Sequence, residues 1–229
     1  MLLFVCLLKN MKTIIASIFA LFAIGAAHAA DTAQVPPALG GKVAMCIGCH
    51  GIVGYRSSFP ELHKVPKISG QTAAYITSSL NAYKAGDRKH PTMDGVAANF
   101  SDADIAEIAA YYAGNGSKKQ APAEVKPPSP EVAALINRVD GQSCVTCHGA
   151  NFSTPNDGTV PKLAGQHADY LYVALKAYQQ PKSTVVGRNN AIMGGIVKKN
   201  FTNQELKALA DYIGSLPGEL EVVPQSRFR

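Results

Sequence analysis

No cysteine in this sequence is spare. Of the five present, Cys6 stands among the first ten residues, and Cys46, Cys49, Cys144 and Cys147 form two Cys-x-x-Cys pairs. With those four committed to paired motifs, none is left for a catalytic thiol or a thiolate metal ligand elsewhere. The chain also lacks an apolar run long enough to span a membrane. The longest, Thr13 to Ala27, has 15 residues, where a span needs roughly 20. No stretch shows the apolar–polar alternation of a half-buried strand. Basic residues are scattered and not blocked, so the formal charge of +6 makes no case for nucleic acid.

What the N-terminus does have is an export signal. Lys9 and Lys12 precede the 15-residue run, which ends in Ala27-His28-Ala29. Charged, apolar and small residues in that order predict a secretory signal over residues 1–29, cleaved after Ala29. Met11-Lys12 makes a more natural start than Met1, and the first ten residues then read as an upstream extension that takes Cys6 with it. Losing Lys9 and Lys12 lowers the formal charge to +4. The second half, residues 126–229, keeps a modest basic tilt of eleven basic against eight acidic groups, which suits docking on an acidic partner.

The run Cys46-Ile47-Gly48-Cys49-His50 returns as Cys144-Val145-Thr146-Cys147-His148. A Cys-x-x-Cys-His run is the attachment site of a c-type haem. Two thiols at this spacing add to the two vinyl groups of one porphyrin, and the adjacent histidine ligates the iron. Two disulfides would suit an exported protein, and four cysteines could take zinc. Neither explains a histidine directly after each pair. The cofactors expected are therefore two covalent haem c groups, held by Cys46, Cys49, Cys144 and Cys147.

The repeat extends well beyond the motif. Pro66-Lys67-Ile68-Ser69-Gly70-Gln71 is matched by Pro161-Lys162-Leu163-Ala164-Gly165-Gln166. A helical stretch follows in each half, Thr72 to Lys84 and His167 to Tyr178, with apolar and tyrosine positions at helical spacing. Then come the methionine segments Pro91-Thr92-Met93 and Ala191-Ile192-Met193. Each half closes on a capped helix, opened by Ser101 to Asp104 in the first and by Thr202 to Glu205 in the second. The stretch from Gly114 to Pro130 is rich in Gly, Lys and Pro and reads as a linker. The fold class expected is all-α, as two tandem domains. Cores this small are marginal unless a bound group fills them.

Iron held by histidine on one side needs a second axial ligand. The mature chain has three methionines, Met45, Met93 and Met193. Met45 adjoins Cys46, whose tether keeps it near the porphyrin edge. Met93 and Met193 stand at matching places after His50 and His148. A thioether is a soft neutral ligand that favours ferrous iron, although methionine is more commonly core filler. The axial sets expected are His50 with Met93 and His148 with Met193. The competing histidines His63, His90 and His167 have no counterpart in the other half.

A ligating histidine gives its second ring nitrogen to an acceptor. Pro66 and Pro161 are placed either to offer a backbone carbonyl or only to shape a loop, and spacing does not choose. Arg88 and Arg188 precede the methionine segments, where they would pair haem propionates or stand in solvent.

Taken together, these motifs resemble the cytochrome c4 family over nearly all of residues 38–216, with Ala82-Tyr83-Lys84-Ala85-Gly86-Asp87-Arg88 especially similar to its first domain. The resemblance implies two tandem class I cytochrome c domains related by a pseudo-twofold, with haem propionates near their joint. The layout expected is a signal peptide at 1–29, a first domain at 30–115, a linker at 116–129 and a second domain at 130–229. It implies a periplasmic electron carrier, not an enzyme, running from a quinol-oxidising complex to a terminal oxidase or reductase, with loose membrane-surface association allowed. The dihaem subunit of a sulfide-oxidising flavocytochrome, which serves a flavoprotein dehydrogenase, is the rival. A dihaem peroxidase or thiosulfate dehydrogenase would need an open or thiolate-ligated iron, against which the paired methionines speak. Two stretches depart from the mutual match of the halves: Ile52 to Lys64 is longer in the first, and Gln179 to Asn190 in the second. Both fall near expected haem edges, where partners dock.

Overall fold

The computed structural model describes residues 35, 37–117, 119–139 and 143–224. The expected signal, its cleavage site, Cys6 and Met11 lie outside the described residues. The first half comprises α1 (Pro37–His50), α2 (Ala73–Ala85), α3 (Pro91–Ala97) and α4 (Asp102–Gly114). The second comprises α5 (Pro130–Ile136), α6 (Cys144–His148), α7 (Ala168–Gln179), α8 (Ala191–Asn200) and α9 (Asn203–Ser215). The packing repeats with the sequence. α4 lies on α1 and α2 as α9 lies on α5 and α7, and α3 sits on α2 as α8 sits on α7. Among the described residues no helix is long and apolar enough to cross a membrane.

Each half has its own core. Val43 and Ile47 of α1, Ile76 and Leu80 of α2, and Ile105 and Ile108 of α4 meet in the first. Leu135, Leu171, Leu206, Leu209 and Ile213 meet in the second, around Phe152 and Phe201. These side chains recur every three or four residues, so each helix turns one apolar stripe inward. The closing helices are opened by the reciprocal caps that the sequence predicts. Ser101 and Asp104 satisfy each other's backbone N–H groups at α4, and Thr202 and Glu205 do so at α9. The Thr72 hydroxyl caps α2, and Gly86 at φ 77° ends it in a left-handed turn that suits glycine.

The structure adds three features to the expectation. The haem-motif helix is one 14-residue element in the first half but is split into α5 and α6 in the second, where Asn137 caps α5. The methionine segments form helices of their own. Strand is also present, in pieces too short for alternation to reveal. β1 (Arg56–Ser57) pairs with β2 (His63–Lys64) inside the longer stretch of the first half, and β3 (Arg88–Lys89) pairs with β4 (Gly187–Arg188) across the two halves.

The joint has further ties. Asn189 takes both the backbone carbonyl and the side chain of Asp87, at 2.6 and 2.9 Å. Lys176 reaches Glu61 at 2.7 Å. Past α9 the chain returns to the first half, where Glu221 N–H donates to the Ser69 carbonyl and the Glu219 carbonyl accepts from Ser117 N–H. This approach explains Gly70, at φ 86°. A β-carbon there would run into the Glu219 carbonyl and the Gly116 backbone.

Thr202→Ala removes one of the two hydrogen bonds between side chain and backbone that open α9, so the haem-loaded protein should lose about 1 kcal/mol of stability. The denaturant midpoint of the second half measures this loss, and an unchanged midpoint would deny the cap a role.

Candidate functional site

α1 carries Cys46, Cys49 and His50 in its last turn, and α6 presents Cys144, Cys147 and His148. Cysteines three apart share one helical face, so each pair offers its thiols to one side. None of the four forms a disulfide. Burial pushes the Cys46 thiol up to about 11 and raises Cys144 as well, which keeps both protonated. The cysteine pairs belong to different halves, and among the described residues no group of three or more His, Cys, Asp or Glu side chains is placed to hold a metal ion.

Both prolines present an acceptor. His50 Nδ1 lies 2.7 Å from the Pro66 carbonyl, and His148 Nδ1 lies 2.9 Å from the Pro161 carbonyl. A carbonyl can only accept, so Nδ1 carries the proton in each ring. That leaves Nε2 with the lone pair a metal needs. Burial lowers the pKa of both histidines, with the carbonyl bond acting against it; the rings are therefore neutral.

Met93 and Met193 hold the same place in their helices. Each is the third residue, after Pro91-Thr92 in α3 and after Ala191-Ile192 in α8. The Asn190 side chain accepts from Met193 N–H at 2.9 Å and fixes the turn. Both methionines are half-buried against the core of their own half. A cavity of about 540 Å³ runs through the joint, walled by His50 and Met93 from one half and by His148 and Met193 from the other. His63 and His90 reach the same wall; His167 does not. His63 is buried and bonded through Nδ1 to the Glu61 carbonyl at 2.8 Å.

The charge of this wall has one sign. Arg56, Lys67, Arg88, Lys162 and Arg188 line it, and among the described residues no aspartate or glutamate does. Arg88 and Arg188 face each other directly in the β3–β4 pairing, an arrangement that destabilises two like charges. Their guanidiniums share one partner, the Tyr170 hydroxyl, at 2.8 and 3.0 Å. Arg88 also lies over the Tyr83 ring at 4.7 Å, and Arg188 over the Tyr178 ring at 5.3 Å. The Arg88 Nε–H is buried without a hydrogen-bond partner. Burial opposes ionisation of Tyr75, yet Arg88 and Arg188 beside it bring its hydroxyl down to about 8. The arginines are therefore half-buried at the joint, not in solvent. Two tethering thiol pairs, two neutral imidazoles with free Nε2 and a cationic wall with an orphaned donor suit flat apolar groups bearing carboxylates, which describes haem.

Sequence reasoning placed the two glutamines in the repeat but gave them no role. Gln166 Oε1 accepts from Lys67 N–H at 2.9 Å, and its Nε2 donates to the Lys67 carbonyl at 2.8 Å. Gln71 does the same to Lys162, at 3.0 Å in both directions. Each glutamine is 5% exposed. The signal was available, because both halves end their six-residue motif in Gly-Gln.

The cytochrome c family model matches residues 37–114 and 133–217. Cytochrome c4 of Azotobacter vinelandii is 32% identical to this chain, over 90% of it and 99% of that protein. The crystal structure of reduced recombinant cytochrome c4 from Pseudomonas stutzeri aligns with a TM-score of 0.59 at 31% identity, covering 81% of this chain and 100% of that one. A protein of Stutzerimonas stutzeri named thiosulfate dehydrogenase electron acceptor is 27% identical, over 91% of this chain and 97% of its own length.

His167 stands at the N-terminal boundary of α7, where its side chain makes no capping bond, and burial together with Lys67 and Lys64 lowers its pKa from the ordinary 6.5 to about 4. The folded protein thus resists a proton that the unfolded chain accepts. Its contribution is present above pH 6.5 and is lost as pH falls toward about 4. His167→Asn should flatten the decline in stability across that window, measured by denaturant unfolding at several pH values. A slope equal to that of the unsubstituted protein would show that other groups govern it.

Proposed function

Because the chain belongs to the cytochrome c family, and within it to the dihaem cytochromes c4, we propose that it is a periplasmic one-electron carrier whose irons are closed by His50 and Met93 in one half and His148 and Met193 in the other. As a member of that family it binds two covalent haem c groups; Cys46 with Cys49 and Cys144 with Cys147 are their attachment pairs. When bound, each haem supplies a single-electron couple. The observation that carries the reading is the matched pair of walls: each half brings to one cavity a histidine with its Nδ1 proton tied down and a methionine from the third position of a short helix.

The protein's own residues determine what such irons do. Neutral imidazole on one side and neutral thioether on the other favour the ferrous state more than two imidazoles would. With His50, Met93, His148 and Met193 as ligands, no position at either iron would be left for oxygen, peroxide or a substrate, which suits electron exchange without binding of reactants. Arg88 and Arg188 set positive charge where carboxylates would otherwise be costly to bury. Export by residues 1–29, with cleavage after Ala29, brings the chain to the compartment where a quinol-oxidising complex and a terminal oxidase or reductase are the partners.

A second reading is favoured by the Stutzerimonas relative, whose name makes it the electron acceptor of a dehydrogenase. The chain would then take electrons from a sulfur-compound dehydrogenase, flavin-containing or not. Native purification separates the two, since a stable stoichiometric complex with a dehydrogenase supports the second reading and a free carrier supports the first.

Met93→Ala and Met193→Ala should each remove about half of the red-region band of methionine-ligated ferric haem, since each opens one iron of two. Each should also admit cyanide rapidly at that iron. A band unchanged in either variant would show that the methionine is core filler.

A further inference from the structure

We infer that each half tunes the haem of the other, through one shared peptide group and one glutamine. The inference rests on His50 and His148 being the proximal ligands. The carbonyl that accepts from His50 Nδ1–H belongs to the Pro66–Lys67 peptide, and the N–H of that same peptide donates to Gln166 Oε1 of the second half. The mirrored chain runs from His148 through the Pro161–Lys162 peptide to Gln71 of the first half. In each case a histidine and a glutamine of opposite halves bind the two ends of one planar, conjugated unit.

Hydrogen bonds in series polarise one another. An acceptor on the peptide N–H draws charge toward the carbonyl oxygen, which becomes a better acceptor for the imidazole N–H. The imidazole then becomes a more basic ligand and holds ferric iron more strongly, which lowers the reduction potential of its haem. The glutamines are well held for this task. Each Oε1 also accepts from the first backbone N–H after it, Thr72 or His167, at 3.0 Å. Each Nε2 donates to the carbonyl of the facing lysine, so the amide has one orientation that satisfies every bond. Both are positioning residues and touch no haem ligand themselves.

The arrangement predicts a crossed effect. Gln166→Met removes the acceptor on the Lys67 N–H and should raise the potential of the first-half haem, leaving the second nearly unchanged; Gln71→Met should do the reverse. The shift expected is a three- to tenfold change in the ferric–ferrous equilibrium, at most about 59 mV for one electron. The full haem-loaded protein is titrated potentiometrically, with each haem assigned by the NMR resonances of its axial methionine methyl. In the diamagnetic ferrous form, the His50 Nδ1–H resonance should also move upfield in Gln166→Met while that of His148 stays. If Gln166→Met fails to accumulate, Gln166→Asn keeps an amide set back by one methylene and should shift the same haem. A shift confined to the haem of the substituted half, or none in either, overturns the proposal. If the unsubstituted protein itself lacks the methionine band, the ligand assignment fails and the proposal fails with it. If the band is present and the shift is uncrossed, only the proposal fails.

Discussion

A peptide group has one donor and one acceptor, and in each half of this protein a single peptide between proline and lysine commits both. Its carbonyl takes the Nδ1 proton of the Cys-x-x-Cys-His histidine, and its N–H meets a glutamine from the other half. The first bond sets the tautomer of the ring and so decides which nitrogen is free for iron. The second fixes where the neighbouring half must sit. Buried polar groups left unpaired cost about 1–3 kcal/mol each, so neither histidine nor glutamine is free to turn away. The glycine of the same motif lets the chain bend sharply and lets the returning C-terminal stretch lie against it.

The joint that these bonds align is also where positive charge collects. β3 and β4 belong to different halves, and their pairing brings Arg88 and Arg188 opposite each other, hydrogen-bonded to tyrosine and serine oxygens. Two half-buried guanidiniums set opposite each other, with no carboxylate bonded to either among the described residues, are unfavourable by themselves. Carboxylates of a bound cofactor beside them would offset that cost. A joint of this kind would be stabilised by the cofactors it is built to hold, as expected where each half is too small for a generous core.

Much of this was legible in the residues. The paired Cys-x-x-Cys-His runs, the matched methionines and the capped closing helices each have a local cause, so a single sequence displays them. The role of Pro66 and Pro161 was only half legible: spacing allowed a carbonyl acceptor and could not distinguish it from a bend. What escaped was non-local. Gln71 and Gln166 bind residues of the opposite half, and no periodicity within a half points there. Arg88 and Arg188 looked as ready for solvent as for a buried joint, because only the β3–β4 pairing sets them face to face. Two-residue strands are too short to show alternation. The split of the haem-motif helix into α5 and α6 in the second half was hidden by the likeness of the motifs themselves.

The central claim is that this fold closes both irons with one histidine and one methionine each, and that each histidine is held by the proline–lysine peptide of its own half, which a glutamine binds from across the joint. Diffraction at the iron absorption edge, on crystals of the protein purified with its cofactors, tests it most directly. The account predicts two iron positions, one between His50 Nε2 and the Met93 sulfur and one between His148 Nε2 and the Met193 sulfur, with both glutamines on the facing lysines. An iron with an open distal face, or with His63 or His90 in place of Met93, would contradict it.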